Sequence, residues 1–226
     1  MPSPRRRPRP PSHPKRAPEP AEPHFVEEHG ESLSLERIVF LSDGVFAIAM
    51  TILVLEIKLP ELPTGASAEA LTEALLEQIP SLGAYALSFA VLGAYWMAHW
   101  RRFQRIARAN GRLAWINLAF LGCIALIPFP TAVLGRFNWD ISVVLYAVVL
   151  SLAGFAGAAT GLYAARAGLT EPGVPTSFRD SGVLRGLIVP IVFLASLLLL
   201  PFASPTIVEL SWIAILPLSV LTRPRR

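Results

Sequence analysis

Residues 36–56 read ERIVFLSDGVFAIAMTILVLE, and this stretch is the most informative in the chain. Its apolar length matches the roughly 20 helical residues that cross a bilayer core. Asp43 nevertheless lies about a third of the way along it. Because an ionisable group at the bilayer centre costs roughly 2.5 kcal/mol or more, such a group usually faces protein or water. The stretch therefore predicts a membrane-spanning helix that packs against other helices.

The rest of the chain repeats this apolar pattern. Of the 226 residues, 53% are apolar and 16% are charged, whereas soluble domains carry about 25% charged residues. The pattern predicts an all-α integral membrane protein, because no window alternates like a barrel strand and helices satisfy the backbone in lipid. Six transmembrane helices per chain are expected within a channel domain at 33–222, at residues 35–57, 79–100, 113–135, 139–165, 184–202 and 204–222.

The loops between the apolar segments differ in the sign of their charge. Five arginines lie between residues 101 and 112, and three lie in the basic end at 223–226. Four glutamates lie instead between residues 61 and 77. Since short loops rich in Lys and Arg stay in the cytoplasm, both termini are predicted to be cytoplasmic in a multi-pass protein of the cell (inner) membrane.

Residues 1–32 have a different composition, rich in proline and arginine with little aliphatic content. Such a segment is predicted to be a disordered cytoplasmic tail, because it buries too little apolar surface to offset the entropy of folding. The arginine cluster at 5–7 could bind anionic lipid or nucleic acid, but a solvated tail is the favoured interpretation. No nucleic-acid partner is expected.

The first segment divides into two helical faces. At about 100° per residue, Ile48, Ile52 and Leu55 fall within about 60° of one another, and Thr51 flanks them. Asp43 lies five residues before Ile48, or about 140° around the axis, and so turns toward other helices. In the fourth segment, glycines at 154, 157 and 161 predict close helix packing.

Depth in the membrane suggests partners for the polar residues of the first helix. His99 ends the second segment beside the arginine-rich loop, and Asn117 lies about a turn and a half into the third. With Arg37, Ser42 and Asp43 these side chains are predicted to form a polar network that ties the first three helices together.

The motifs resemble one family in order and spacing. Arg37, followed by SDGVFAIAMT from residue 42 and ILVLEI from residue 52, is similar to the RxxxFSD signature that opens each repeat of the TMEM175 potassium-channel family, with Leu41 in place of the usual Phe. The segments YWMAH at 95–99, WINL at 115–118 and PFPT at 128–131 also resemble that family.

The resemblance implies an assembly and a pore. Prokaryotic members carry one six-helix repeat per chain and form homotetramers in lipid, with the first helix lining a central pore for potassium ions. Ile48 would then form a hydrophobic constriction, Ile52 and Leu55 further apolar rings, and Thr51 a nearby polar layer. The family's packing network would correspond to Arg37, Ser42, Asp43 and His99.

Three function classes follow from these features. The leading hypothesis is a passive potassium-permeable channel, gated by apolar side chains because no TVGYG-like carbonyl filter is present. The alternative is a proton-conducting or solute transporter that uses Asp43 and His99. An enzyme has little support, since no nucleophile motif, phosphate loop or metal-ligand spacing occurs, and no cofactor or metal is expected.

Overall fold

The structure, a computed structural model, describes residues 34–58, 61–174 and 183–213. The predicted tail at 1–32, the basic end at 223–226 and most of the last predicted span lie outside the described residues. Within them every regular element is a helix, and the single β pairing is an isolated antiparallel bridge between Ile106 and Thr170. The predicted all-α class is confirmed.

Eight α-helices and one 3-10 turn are described. They are α1 Leu35–Leu55, α2 Ala68–Leu76, α3 Ile79–Phe103, α4 Gly111–Leu126, α5 Pro128–Arg136, α6 Asp140–Arg166, α7 Val183–Ser196, the 3-10 turn Leu197–Leu199, and α8 Pro205–Ile213.

Four helical stretches are long and apolar enough to cross a membrane: Leu35–Leu55, Ile79–Phe103, Gly111–Arg136 and Asp140–Arg166. They match the first four predicted segments. The third stretch joins α4 and α5, and it is interrupted at Ile127 because Pro128 cannot donate a helical hydrogen bond.

The last two predicted segments are shorter as described. Helix α7 and the 3-10 turn together cover 183–199, with Pro190 inside the helix. Helix α8 is described only to Ile213. The count of six spans therefore stays a prediction.

Helix α6 lies at the centre of the bundle and contacts α4, α5 and α7. Its approach to α7 depends on Gly154, where an added Cβ would lie only 2.7 Å from Cγ of Pro190. Ser151, one turn earlier, donates a hydrogen bond to the carbonyl oxygen of Pro190 at 3.0 Å. The small residue and the hydroxyl together fix α7 on α6, as close helix packing in membranes requires.

The two ends of the bundle differ in charge. At one end the start of α1, the α3–α4 turn and the end of α6 meet in an apolar cluster that includes Ile38, Phe103 and Leu113. We call it the arginine-rich end, because it carries the arginines of the α3–α4 turn. At the other end, Ser81 at the start of α3 donates to the carbonyl of Gly135 at the end of α5, at 3.0 Å. We call this the glutamate-rich end, because it carries the loop between α1 and α3.

Candidate functional site

Helix α1 has one face buried in the bundle and one face that no described part of the chain covers. The buried residues are Ile38, Ser42, Phe46, Ala49 and Leu53. They recur every three or four positions, which places them on one side of a helix. That side packs against α3, α4 and α5. The opposite side is available for other molecules or for other copies of the chain.

The four residues predicted to line a pore lie on or beside this uncovered face. Ile48 is 60% exposed, Leu55 is 66% exposed and Ile52 is 38% exposed. Thr51, also exposed, lies about 180° around the axis from the middle of the buried face, and Ile52 lies at the border. The hydroxyl of Thr51 is 2.9 Å from the carbonyl oxygens of both Ala47 and Ile48. Its proton is therefore engaged within the helix, and the hydroxyl oxygen remains on the uncovered face.

Three of the predicted network residues form one buried hydrogen-bonded chain across α1, α4 and α3. Ser42 donates to the carbonyl oxygen of Ile38 at 2.7 Å and accepts from Nδ2 of Asn117 at 3.0 Å. The Asn117 carbonyl oxygen then lies 3.0 Å from Nε2 of His99. Because that oxygen only accepts, Nε2 must carry a proton, and the chain fixes the protonation of this ring nitrogen.

Aromatic rings enclose His99, which is 1% exposed. Phe103 stacks on the imidazole with 4.3 Å between ring centroids, and Phe120 stacks on it at 5.6 Å. Phe46 of α1 lies 5.9 Å away at a tilted angle. The polar chain is thus sealed in apolar surroundings, where hydrogen bonds are strong and an unpaired group is costly.

Asp43 and Arg37 do not join this chain. The carboxylate of Asp43 accepts a hydrogen bond from Nε1 of Trp96 at 2.9 Å, on the exposed surface between α1 and α3. Arg37 is exposed, and its side chain has no hydrogen bond or ion pair to any residue that the structure describes. The reason is angular: Asp43 follows Ser42 and points about 100° away from it around the helix. The expectation that Asp43 turns toward His99 and Asn117 is corrected accordingly.

A second buried polar cluster, absent from the sequence-based prediction, joins α3, α5 and α6. The hydroxyl of Ser88 lies 2.8 Å from that of Thr131 and 3.0 Å from that of Tyr146. The ring of Tyr146 stacks on Trp212 of α8, with centroids 5.2 Å apart. One feature of the sequence could have indicated this cluster. The polar residues Ser81, Ser88 and Tyr95 recur every seven residues, which places them along one face of α3.

The sequence is similar to those of known ion channels. Residues 37–128 match the family model described as "Endosomal/lysosomal potassium channel TMEM175". A potassium channel of Streptomyces collinus is 43% identical over 103 residues, which are 45% of this chain and 48% of that protein. The endosomal/lysosomal proton channel TMEM175 of Homo sapiens is 36% identical over 114 residues, 47% of this chain and 23% of that protein. The chain thus spans about half the length of its bacterial relative.

The fold is similar to that of a solved structure over a longer part of the chain. The crystal structure of a lysosomal potassium-selective channel TMEM175 homolog from Chamaesiphon minutus matches with a TM-score of 0.70 and 26% sequence identity. The match covers 83% of this chain and 96% of that one. Residues 37–128 are thus similar in sequence to the TMEM175 family, and 83% of the chain is similar in fold to a TMEM175 homolog.

Proposed function

We propose that this chain forms a passive potassium-permeable channel of the cell membrane, with the uncovered face of α1 lining the pore. The observation that carries the proposal is the contrast between the two sides of α1. Leu53 is fully buried, whereas Leu55, two residues later, is 66% exposed. The Streptomyces collinus relative, named a potassium channel, supports potassium as the permeant ion.

Four copies around a common axis are the proposed assembly. A water-filled path through lipid must be enclosed on all sides, and one chain leaves its α1 face open. A closed ring of identical subunits would bring four such faces together, each making the same contacts. In this arrangement α7 and α8 belong to a fifth and a sixth span, and both termini are cytoplasmic.

Ile48 is the proposed constriction. An apolar ring narrow enough to exclude water blocks ions without a rigid plug, because an ion cannot shed its hydration shell there. Ile52 and Leu55 would form further apolar rings, and the oxygen of Thr51 a polar layer beside them. The permeant potassium ion needs no cofactor in such a pore.

The negative charge of the glutamates at the glutamate-rich end favours the entry of cations into the proposed pore. Four carboxylates line a cleft of about 880 Å³ at the end of α1, beside Lys58 and Arg136: Glu56, Glu61, Glu73 and Glu77. Carboxylates around a pore mouth raise the local concentration of cations and slow the approach of anions. This field would act within about 10 Å at an ionic strength of 0.1 M.

The animal relatives named proton channels raise proton conduction as the second candidate. The buried chain of His99, Asn117 and Ser42 is the feature that would serve it. The Ser42 hydroxyl at the end of this chain donates its proton to the carbonyl oxygen of Ile38. Asp43 does not continue the chain, because its carboxylate accepts a hydrogen bond from Trp96. A backbone carbonyl passes no proton onward, so the geometry favours a structural role for these residues.

Flux into liposomes tests the proposed function. The purified full chain, reconstituted under a potassium gradient, should release potassium faster than protein-free vesicles, and a pH dye in the same vesicles should report proton movement. Potassium release at the rate of protein-free vesicles would refute the channel. Proton uptake without potassium release would favour the second candidate.

A further inference from the structure

Arg37 lies in line with the proposed pore residues on the uncovered face of α1. Ile48 follows it after about three helical turns and Leu55 after about five, and both lie within about 20° of it around the axis. The helix is continuous from Leu35 to Leu55 and contains no proline. A pore that is lined by Ile48 and Leu55 is therefore also lined by Arg37, at its arginine-rich end.

The guanidinium of Arg37 is not used within the chain. Its side chain is exposed and makes no hydrogen bond or ion pair with any residue that the structure describes. Other arginines at this end are held: Arg108 donates to the carbonyl oxygen of Gly168 at 3.3 Å, and Arg112 lies over an aromatic ring. Because a guanidinium stays protonated in proteins, Arg37 keeps a full positive charge that can act on ions in front of this face.

The glutamates described at the arginine-rich end do not pair with Arg37. Glu36 directly precedes it in the helix and points about 100° away around the axis. The backbone of Glu171 is tied to the α3–α4 turn, where its N–H donates to the carbonyl oxygen of Arg105 at 2.9 Å. The N-terminus of α1 adds a partial positive charge of its own. This end of the uncovered face is therefore positive.

The other end of α1 carries the opposite charge. Glu56 directly follows the helix, and three further glutamates line the cleft of about 880 Å³ there. The basic residues that line this cleft are Lys58 and Arg136. A potassium ion in the proposed pore would thus meet net negative charge at the glutamate-rich mouth and positive charge at the arginine-rich mouth.

We propose that Arg37 forms a ring of positive charge at the arginine-rich mouth of the pore and slows the entry of potassium from that end. The inference rests on the proposed function, because the ring exists only if copies of α1 surround a common axis. Positive charge at a mouth lowers the local concentration of cations, whereas the glutamates raise it at the other mouth. Potassium would therefore pass more readily from the glutamate-rich end to the arginine-rich end than in the reverse direction.

The size of the effect follows from Coulomb's law. Four unit charges about 10 Å from a potassium ion, screened by about 0.1 M salt, lower the local potassium concentration by about threefold. In about 1 M salt the Debye length falls to about 3 Å, and the effect nearly disappears. This dependence on salt separates the field of a charge from a change in the shape of the pore.

Single-channel currents of the full chain in planar bilayers of phosphatidylcholine, with equal potassium chloride on both sides, test the proposal. At voltages of equal size and opposite sign, the unsubstituted protein should carry one larger and one smaller current. In about 0.1 M salt, Arg37→Gln should raise the smaller current by about threefold, and Arg37→Lys, which keeps the charge, should leave it unchanged. In about 1 M salt, the currents of Arg37→Gln should nearly equal those of the unsubstituted protein.

The matched control is Arg105→Gln, because Arg105 is an exposed arginine at the same end but lies on the α3–α4 turn. Its currents should equal those of the unsubstituted protein. An unchanged smaller current in Arg37→Gln would overturn the ring and leave the channel intact. An equal increase in Arg37→Lys, or in Arg105→Gln, would also overturn it, since the effect would then not come from a charge at this position. Absence of potassium current from the unsubstituted protein would overturn the proposed channel and the ring together.

Discussion

Replacing Ile48 with asparagine should raise potassium flux through the reconstituted protein by about tenfold, equivalent to about 1.4 kcal/mol off the barrier. The side chain is 60% exposed within one chain, on the face of α1 that the bundle leaves uncovered. In the proposed tetramer the substitution would place four amides where four apolar side chains exclude water. Amides hydrogen-bond to water, so the constriction would stay wet and a hydrated ion would pass more easily.

The matched control is Leu152→Asn. Leu152 is 53% exposed in the middle of α6, which is also long and apolar enough to cross a membrane. The Leu152→Asn substitution introduces the same polar group at an exposed position outside α1. The potassium flux through this variant should therefore equal the flux through the unsubstituted protein. Equal flux from Ile48→Asn and the unsubstituted protein would contradict the constriction, and an increase in both variants would indicate a general leak.

Replacing Asn117 with alanine should lower the free energy of unfolding by about 2–4 kcal/mol. Asn117 is the middle member of the buried chain: it donates to Ser42 and accepts from His99, each at 3.0 Å. Alanine removes both hydrogen bonds, so Nε2 of His99 is left without a partner and Ser42 keeps only its hydrogen bond to the carbonyl oxygen of Ile38. Because phenylalanine rings enclose His99, water cannot easily replace the lost partner.

Thermal unfolding in detergent, followed by tryptophan fluorescence, measures this effect. The matched control is Asn138→Ala, since Asn138 donates a single hydrogen bond to Thr206 at 3.0 Å on the exposed surface. Asn117→Ala should melt several degrees below the control. Equal melting temperatures would mean that the buried chain contributes nothing to stability.

The sequence was sufficient for features set by local spacing. The 3.6-residue period separates the faces of α1, so the exposed side of Ile48, Thr51 and Leu55 could be predicted before any contact was known. Loop charge divides the bundle into its two ends. The glycines of α6 indicated close packing, but their partners, Pro190 and Arg102, lie far away in the chain and no local pattern identifies them.

The polar network could be predicted from the sequence only in part. Ser42, His99 and Asn117 could be grouped because they lie at similar depth, and depth can be counted along each segment. Direction around the axis relative to a neighbouring helix depends on tertiary packing, which spacing does not determine. For this reason Asp43 was grouped with them, although its carboxylate accepts from Trp96 instead.

The central claim is that the uncovered face of α1 lines an ion pathway, and cysteine accessibility tests it most directly. Cys123 is the only cysteine in the chain, so Cys123→Ala gives a background free of thiols. Single cysteines are then placed at Thr51 and Leu55 on the uncovered face, and at Leu53 on the buried face. The measurement is potassium flux before and after a charged, water-soluble thiol reagent. The account predicts altered flux for cysteines at Thr51 and Leu55 and unchanged flux at Leu53; unchanged flux at Thr51 and Leu55, or altered flux at Leu53 alone, would contradict it.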